Sequence, residues 1–155
     1  MEELIRRLRG KRFGVVGIGN VIRGDDGAGC RVAELLKDRI KLPVVDAAEV
    51  PENYGGWVTR RGLEAVVYVD AVEFGGQPGE ARIIPMENLM MSCSSTHSLS
   101  LHYMIKFLED EWEGDPILVG IQPACTDLNE PLSSEAEAGA QRVAEAIIEA
   151  AGRKE

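Results

Sequence analysis

The sequence predicts an α/β protein: a three-layer sandwich with a mostly parallel five-stranded sheet, one strand of it at the edge, and helices on both faces. Three observations predict it. Short apolar runs alternate along the chain with segments of helical periodicity, the order expected of α/β units. Two of those runs, "EAVVYVD" and "PILVGI", are apolar almost throughout, as central strands covered on both faces must be. The length of 155 residues suits one domain over 1–155, with no repeat, low-complexity tract or linker to divide it.

The opening "MEELIRRLRGKRF" reads as a short amphipathic turn ahead of the first strand, expected over 12–18. It has no apolar core of signal-peptide length, and no later run is long enough to span a bilayer. A glycine-rich loop leads to a helix over 26–39, a strand over 43–47, a helix over 53–61 and a buried strand over 65–70. "ARIIP", the strand over 81–85, follows the turn-rich "FGGQPGE" and suits the sheet edge. In the next helix, 97–110, Leu101, Met104, Ile105 and Leu108 form one buried stripe. Ser95 or Thr96 can cap it, which puts His97 in its first turn. After the strand over 116–121 comes a helix over 133–151. It opens with a capping box, Ser134 with Glu137, just past Pro131, and lines one face with Val143, Ala146, Ile147 and Ala150. Gly152 stops it, with Arg153 and Lys154 beyond.

Charge narrows the partners. Twenty-six acidic and seventeen basic residues give a net charge of -9, with no basic stripe, which argues against nucleic acid and anionic membranes. Cys30, Cys93 and Cys125 are widely spaced and odd in number, neither a CxxC metal site nor a disulfide framework. They fit a reducing cytoplasm, each as a small buried hydrophobe.

The loop "GVVGIGNVIRGDDGAGC" resembles a phosphate cradle until its charges are read. A dinucleotide fingerprint from Gly17 and Gly19 needs a third glycine where Ile22 stands. A P-loop from Gly19 finds Gly24 in place but then needs Lys and Ser/Thr, and the sequence has Asp25 and Asp26. Two carboxylates repel a phosphate and suit a cation. One Asp is enough to cap the next helix, so Asp25 is assigned to the cap and Asp26 to the cleft. Gly27 and Gly29 fit either a close approach to the backbone or tight helix–sheet packing.

Asp70 ends the buried strand "VVYVD", at the carboxyl edge where α/β proteins build sites. His97 lies one turn before Leu101 and continues the buried stripe to the rim. His102, five residues on and about 140° around the helix, cannot share a metal with it as an i, i+4 pair and reads as structural. Asp26, Asp70 and His97 thus converge on one sheet edge, offering two oxygens and one nitrogen to a divalent metal with positions left open. Imidazole suits zinc or nickel, and the set alone does not choose between them.

Five segments in order, "GIGNVIRGDDGAG", "PEN" at 51–53, "VDAVEFGGQPGE" at 69–80, "STHSLSL" at 95–101 and "GIQP" at 120–123, resemble the nickel-dependent maturation endopeptidases of NiFe hydrogenases. "GDDG" and "GIQP" are most similar to the branch acting on hydrogenases of the formate-hydrogenlyase type. Where this chain has Asp26, many relatives across the family have Glu. The resemblance implies removal of a C-terminal extension from the hydrogenase large-subunit precursor after nickel insertion. It implies that Asp26, Asp70 and His97 are the catalytic and metal-contacting residues, with nickel arriving on the precursor. Asn20, Asn53 and Gln122 are candidates for holding the peptide at the rim, and a monomer is expected.

Two other classes compete. A receiver domain also places an acidic pair after its first strand and an Asp after its third, but it needs a lysine after its last strand, where this chain reads "GIQP". A non-catalytic nickel checkpoint or chaperone for the precursor would use the same cleft without shortening its partner.

Overall fold

Strands form where the sequence concentrates β-branched residues, and their faces alternate with the pleat. In the computed structural model, which describes residues 1–88 and 97–152, the elements run as follows. They are α1 (Glu2–Leu8), β1 (Phe13–Gly17), α2 (Ala28–Leu36), β2 (Val44–Asp46), α3 (Gly55–Thr59) and β3 (Ala65–Ala71), then β4 (Ala81–Ile84), α4 (Ser98–Glu111), β5 (Asp115–Ile121) and α5 (Ser134–Ala151). Single 3-10 turns occupy Gly24–Gly27, Pro51–Tyr54 and Met86–Asn88.

The sheet order is β2-β1-β3-β5-β4. The first four strands in that order are parallel, and β4 joins the edge antiparallel to β5, with Ile83 opposite Val119. All seven residues of β3 are buried, as its unbroken apolar run requires. Val67 and Val69 face a core shared with Leu4 and Leu8 of α1, Val32 and Leu36 of α2, and Val143 and Ile147 of α5. Val66 and Tyr68 face the other core, with Val58 of α3 and Leu101, Met104 and Leu108 of α4. This gives three layers. The order reverses between β1 and β3, so the loops leaving their carboxyl ends diverge and open a crevice there.

All five expected strands form, and the differences lie at helix ends. The N-terminal segment is a helix, because Leu4 and Leu8 one turn apart both bury. The helix expected over 26–39 starts at Ala28, since Gly24–Gly27 coil as a 3-10 turn, and ends at Leu36, where Lys37 turns extended. The helix expected over 53–61 contracts to five residues that include Gly55 and Gly56, poor helix formers. In α5 the cap is Ser133, not Ser134: the Ser133 hydroxyl accepts from the Ala136 N–H at 3.1 Å. Glu137 is drawn away from the expected box by Arg31, at 2.8 Å. Gly152 ends α5 at a φ of +84°, as expected. The proposed caps Ser95 and Thr96, together with Cys93, Arg153 and Lys154, lie outside the described residues.

Candidate metal centre

The loop after β1 is fixed before it offers any chemistry. Gly24 adopts a φ of +54°, and a Cβ there would lie 2.5 Å from the Cys125 carbonyl oxygen. Gly29 resolves its two readings in favour of packing, because a Cβ would run into the carbonyl oxygens of Ile18 and Val69. The α2 helix therefore sits directly on the sheet and holds the preceding turn at the crevice.

Asp25 and Asp26 divide their roles, though not as the sequence predicted. Asp25 makes no cap bond to α2, whose N-cap is Gly27. Its buried carboxylate instead accepts from the N–H groups of Ala124 and Ser133, both at 2.7 Å, and from the Ser133 hydroxyl at 2.7 Å. Its own N–H donates to the Cys125 carbonyl at 2.8 Å. Asp25 thus ties the β1 loop to the β5–α5 connection and orients the residue that caps α5. Asp26 is also buried, with a carboxylate oxygen within 4.8 Å of ligand atoms of Glu49 and His97.

Asp70 lies near the end of β3, wholly buried, with one oxygen accepting from the Ala71 N–H at 2.9 Å. His97 is the N-cap residue of α4 rather than part of its first turn, and its carbonyl accepts from the Leu101 N–H at 2.9 Å. Its Nδ1 lies 3.3 Å from both Asp70 oxygens, so the two are brought together as expected. His102 stands apart, stacked edge-on against Tyr103.

The residue missed by sequence reasoning is Glu49. Its Oε1 lies 3.4 Å from His97 Nε2, on the opposite side of the ring from Asp70. Asp26, Glu49 and His97 each present a ligand atom within 4.8 Å of the others. The signal that points to Glu49 is positional: it follows β2 at the same sheet edge where β1 and β3 deliver Asp26 and Asp70. One imidazole nitrogen with carboxylate oxygens, and coordination positions left over, fits a nickel or zinc ion.

The carboxylates govern the ring's protonation. Burial alone would lower the His97 pKa, but the hydrogen bond and charge of Asp70, the charge of Asp26 and the bond to Glu49 outweigh it. They raise the pKa from 6.5 to about 9. The same surroundings make Cys30 a poor nucleophile. Burial first, then its bond to Asp46 and the nearby carboxylates, push its thiol pKa far upward. Cys125, expected to be buried, is exposed, because it rides the surface loop that Asp25 anchors.

The three peptide-holding candidates differ. Asn53 is exposed in the turn after Glu49. Asn20 is half-buried, its Oδ1 accepting from the Ile22 N–H at 3.1 Å. Gln122 is buried. Its oxygen accepts from the N–H groups of Phe74 and Gly76 at 3.0 and 3.1 Å, and its nitrogen donates to Glu73 at 2.6 Å. Around the crevice, Val21, Ile22, Val50 and Leu128 are exposed large apolar residues on adjoining loops. Among the described residues, no helix is long and apolar enough to cross a membrane.

Comparison with known proteins agrees with this architecture. Residues 30–150 match the HycI family, described as hydrogenase maturation protease. The chain is 34% identical over 119 residues to the hydrogenase 3 maturation protease of Escherichia coli (strain K12), covering 75% of this chain and 76% of that one. It is similar to the crystal structure of the [NiFe] hydrogenase maturation protease HycI from Thermococcus kodakarensis KOD1. There the TM-score is 0.85 at 38% identity, over 95% of this chain and 97% of that one. The solution structure of the endopeptidase HycI from Escherichia coli matches with a TM-score of 0.76 at 27% identity, over 86% of each chain.

Proposed function

The chain belongs to the hydrogenase maturation proteases, and we propose that it removes the C-terminal extension of a NiFe-hydrogenase large-subunit precursor after nickel insertion, meeting the precursor's nickel at the site of Asp26, Asp70 and His97. The observation that carries this reading is the convergence of two buried carboxylates and one buried histidine at the crevice beside β1 and β3. The His97 imidazolium offsets part of the repulsion between the two carboxylates, and a divalent cation would offset it further. Asp70, against Nδ1, sets the direction of the His97 ring. Nickel at such a site supplies Lewis acidity towards a carbonyl or a water.

The rim supports a peptide substrate. Val21, Ile22, Val50 and Leu128 offer apolar contacts beside the polar site. Asn20 and Asn53 hold the backbone of the extension, and Gln122 shapes the rim through the 73–76 turn that it pins. The chain works as a monomer in the cytoplasm, and the free thiols of Cys30 and Cys125 support the compartment.

Incubation of the purified chain with nickel-loaded precursor, read by intact mass, tests the proposal. A precursor shortened at its C-terminus supports a protease. A precursor that co-elutes with the chain at full length refutes it and favours the checkpoint.

A further inference from the structure

We infer that Glu49 is a further ligand of this metal site, acting with Asp26 and His97 on the divalent cation, so that nickel or cobalt added to the free protein reports on this ligand set. The inference rests on the reading above only for the site's location. Glu49 is placed by the backbone around it. The Ala47 N–H donates to the Gly17 carbonyl and the Gly19 N–H to the Ala48 carbonyl, both at 2.8 Å. The Asp46 carboxylate accepts from the Ala48 N–H at 2.9 Å, and the Val50 N–H returns to the Ala47 carbonyl at 3.0 Å. The first two bonds stitch the segment after β2 onto the end of β1, beside the loop that carries Asp26, and the last two fix the turn within the segment.

The spacing leaves room for ligation. A charge-assisted N–H···O bond shortens to roughly 2.7–2.9 Å, yet His97 Nε2 and Glu49 Oε1 stand 3.4 Å apart. Two ligands at about 2.1 Å from one tetrahedral ion lie roughly 3.4 Å from each other. Glu49 also differs from its neighbours in exposure: its side chain is 53% exposed, whereas those of His97 and Asp70 are 5% and 0% exposed. It therefore closes the solvent side of a site whose other walls are buried. The class of cation is a borderline divalent ion taking mixed nitrogen and oxygen ligands, such as nickel, zinc or cobalt.

The test uses the full chain without precursor. Nickel is titrated against a chromophoric chelator, and cobalt binding is followed by its ligand-field absorption. The wild type should take up one ion per chain. Glu49→Gln should weaken nickel at least as much as loss of an outer-shell partner does, about 10–100-fold, and should change the cobalt spectrum. Glu52→Gln makes the same charge change at an exposed neighbour and should leave both readings unaltered. Near-UV circular dichroism confirms that each variant is folded. Unchanged affinity and spectrum in Glu49→Gln, or no ion bound by the wild type, overturns the inference. Precursor cleavage measured in parallel separates the two proposals. Nickel-dependent cleavage with Glu49-independent binding leaves the function standing and sinks this ligand. Glu49-dependent binding without cleavage does the reverse.

Discussion

Replacing Asp25 with alanine should unfold the protein far more readily than replacing its neighbour Asp26. The Asp25 carboxylate receives three bonds of 2.7 Å, two from backbone N–H groups and one from the Ser133 hydroxyl, in a side chain almost wholly buried. Bonds to a charged acceptor contribute about 1.5–3 kcal/mol each. The donors are only partly buried, so water recovers part of the loss, and a cost of about 3–5 kcal/mol is expected, at the upper end for a single substitution. For a domain of this size that is a fall in Tm of about 6–20 °C. Asparagine does not rescue the site, because either orientation of its amide points an NH2 group at an N–H donor. Asp26→Asn, by contrast, removes one charge from a cluster of carboxylates and should stay within about 1 kcal/mol of the parent. Urea denaturation of the three variants measures this. A loss below about 1 kcal/mol in Asp25→Ala, or an equal loss in Asp26→Asn, refutes the division of labour between the two residues.

Other consequences follow from the same geometry. Asp26→Asn and His97→Ala should each abolish precursor shortening while the far-UV and near-UV spectra stay native, whereas His102→Ala should process normally. The His97 pKa of about 9 in the fold exceeds its ordinary 6.5, so the interactions holding the imidazolium stabilise the metal-free protein fully below pH 6.5 and are lost as pH rises through 9. Nickel must displace that proton, so its affinity should rise about tenfold per pH unit up to 9 and then level off, read by chelator competition across pH. Gly29→Ala should destabilise by about 3 kcal/mol or more, because its Cβ meets backbone oxygens of Ile18 and Val69 that have little room to shift. A wild-type-like urea midpoint would contradict that packing.

The sheet was legible because each strand announces itself locally. "EAVVYVD" and "PILVGI" needed only their own composition to be placed at the centre, and "ARIIP" its preceding turn to be placed at the edge. Asp26, Asp70 and His97 were legible as a group because the carboxyl edge of a parallel sheet gathers residues from separate loops. What stayed hidden depends on distant partners. Asp25 reads as a helix cap because its real partners, Ala124 and Ser133, are about a hundred residues away. Ser134 reads as the cap of α5 because nothing local shows Asp25 orienting Ser133 or Arg31 withdrawing Glu137. Glu49 has only a positional signal, because a single Glu after a three-residue strand makes no residue pattern. It gains meaning once β2 is docked beside β1.

The central claim is that precursor nickel, met by this carboxylate–histidine site, licenses cleavage. The most direct measurement compares nickel-loaded and nickel-free large-subunit precursor in single-turnover reactions with excess protein, following intact mass over time. Loss of the C-terminal extension from the loaded precursor alone is expected. Cleavage of the nickel-free precursor at a comparable rate would contradict it.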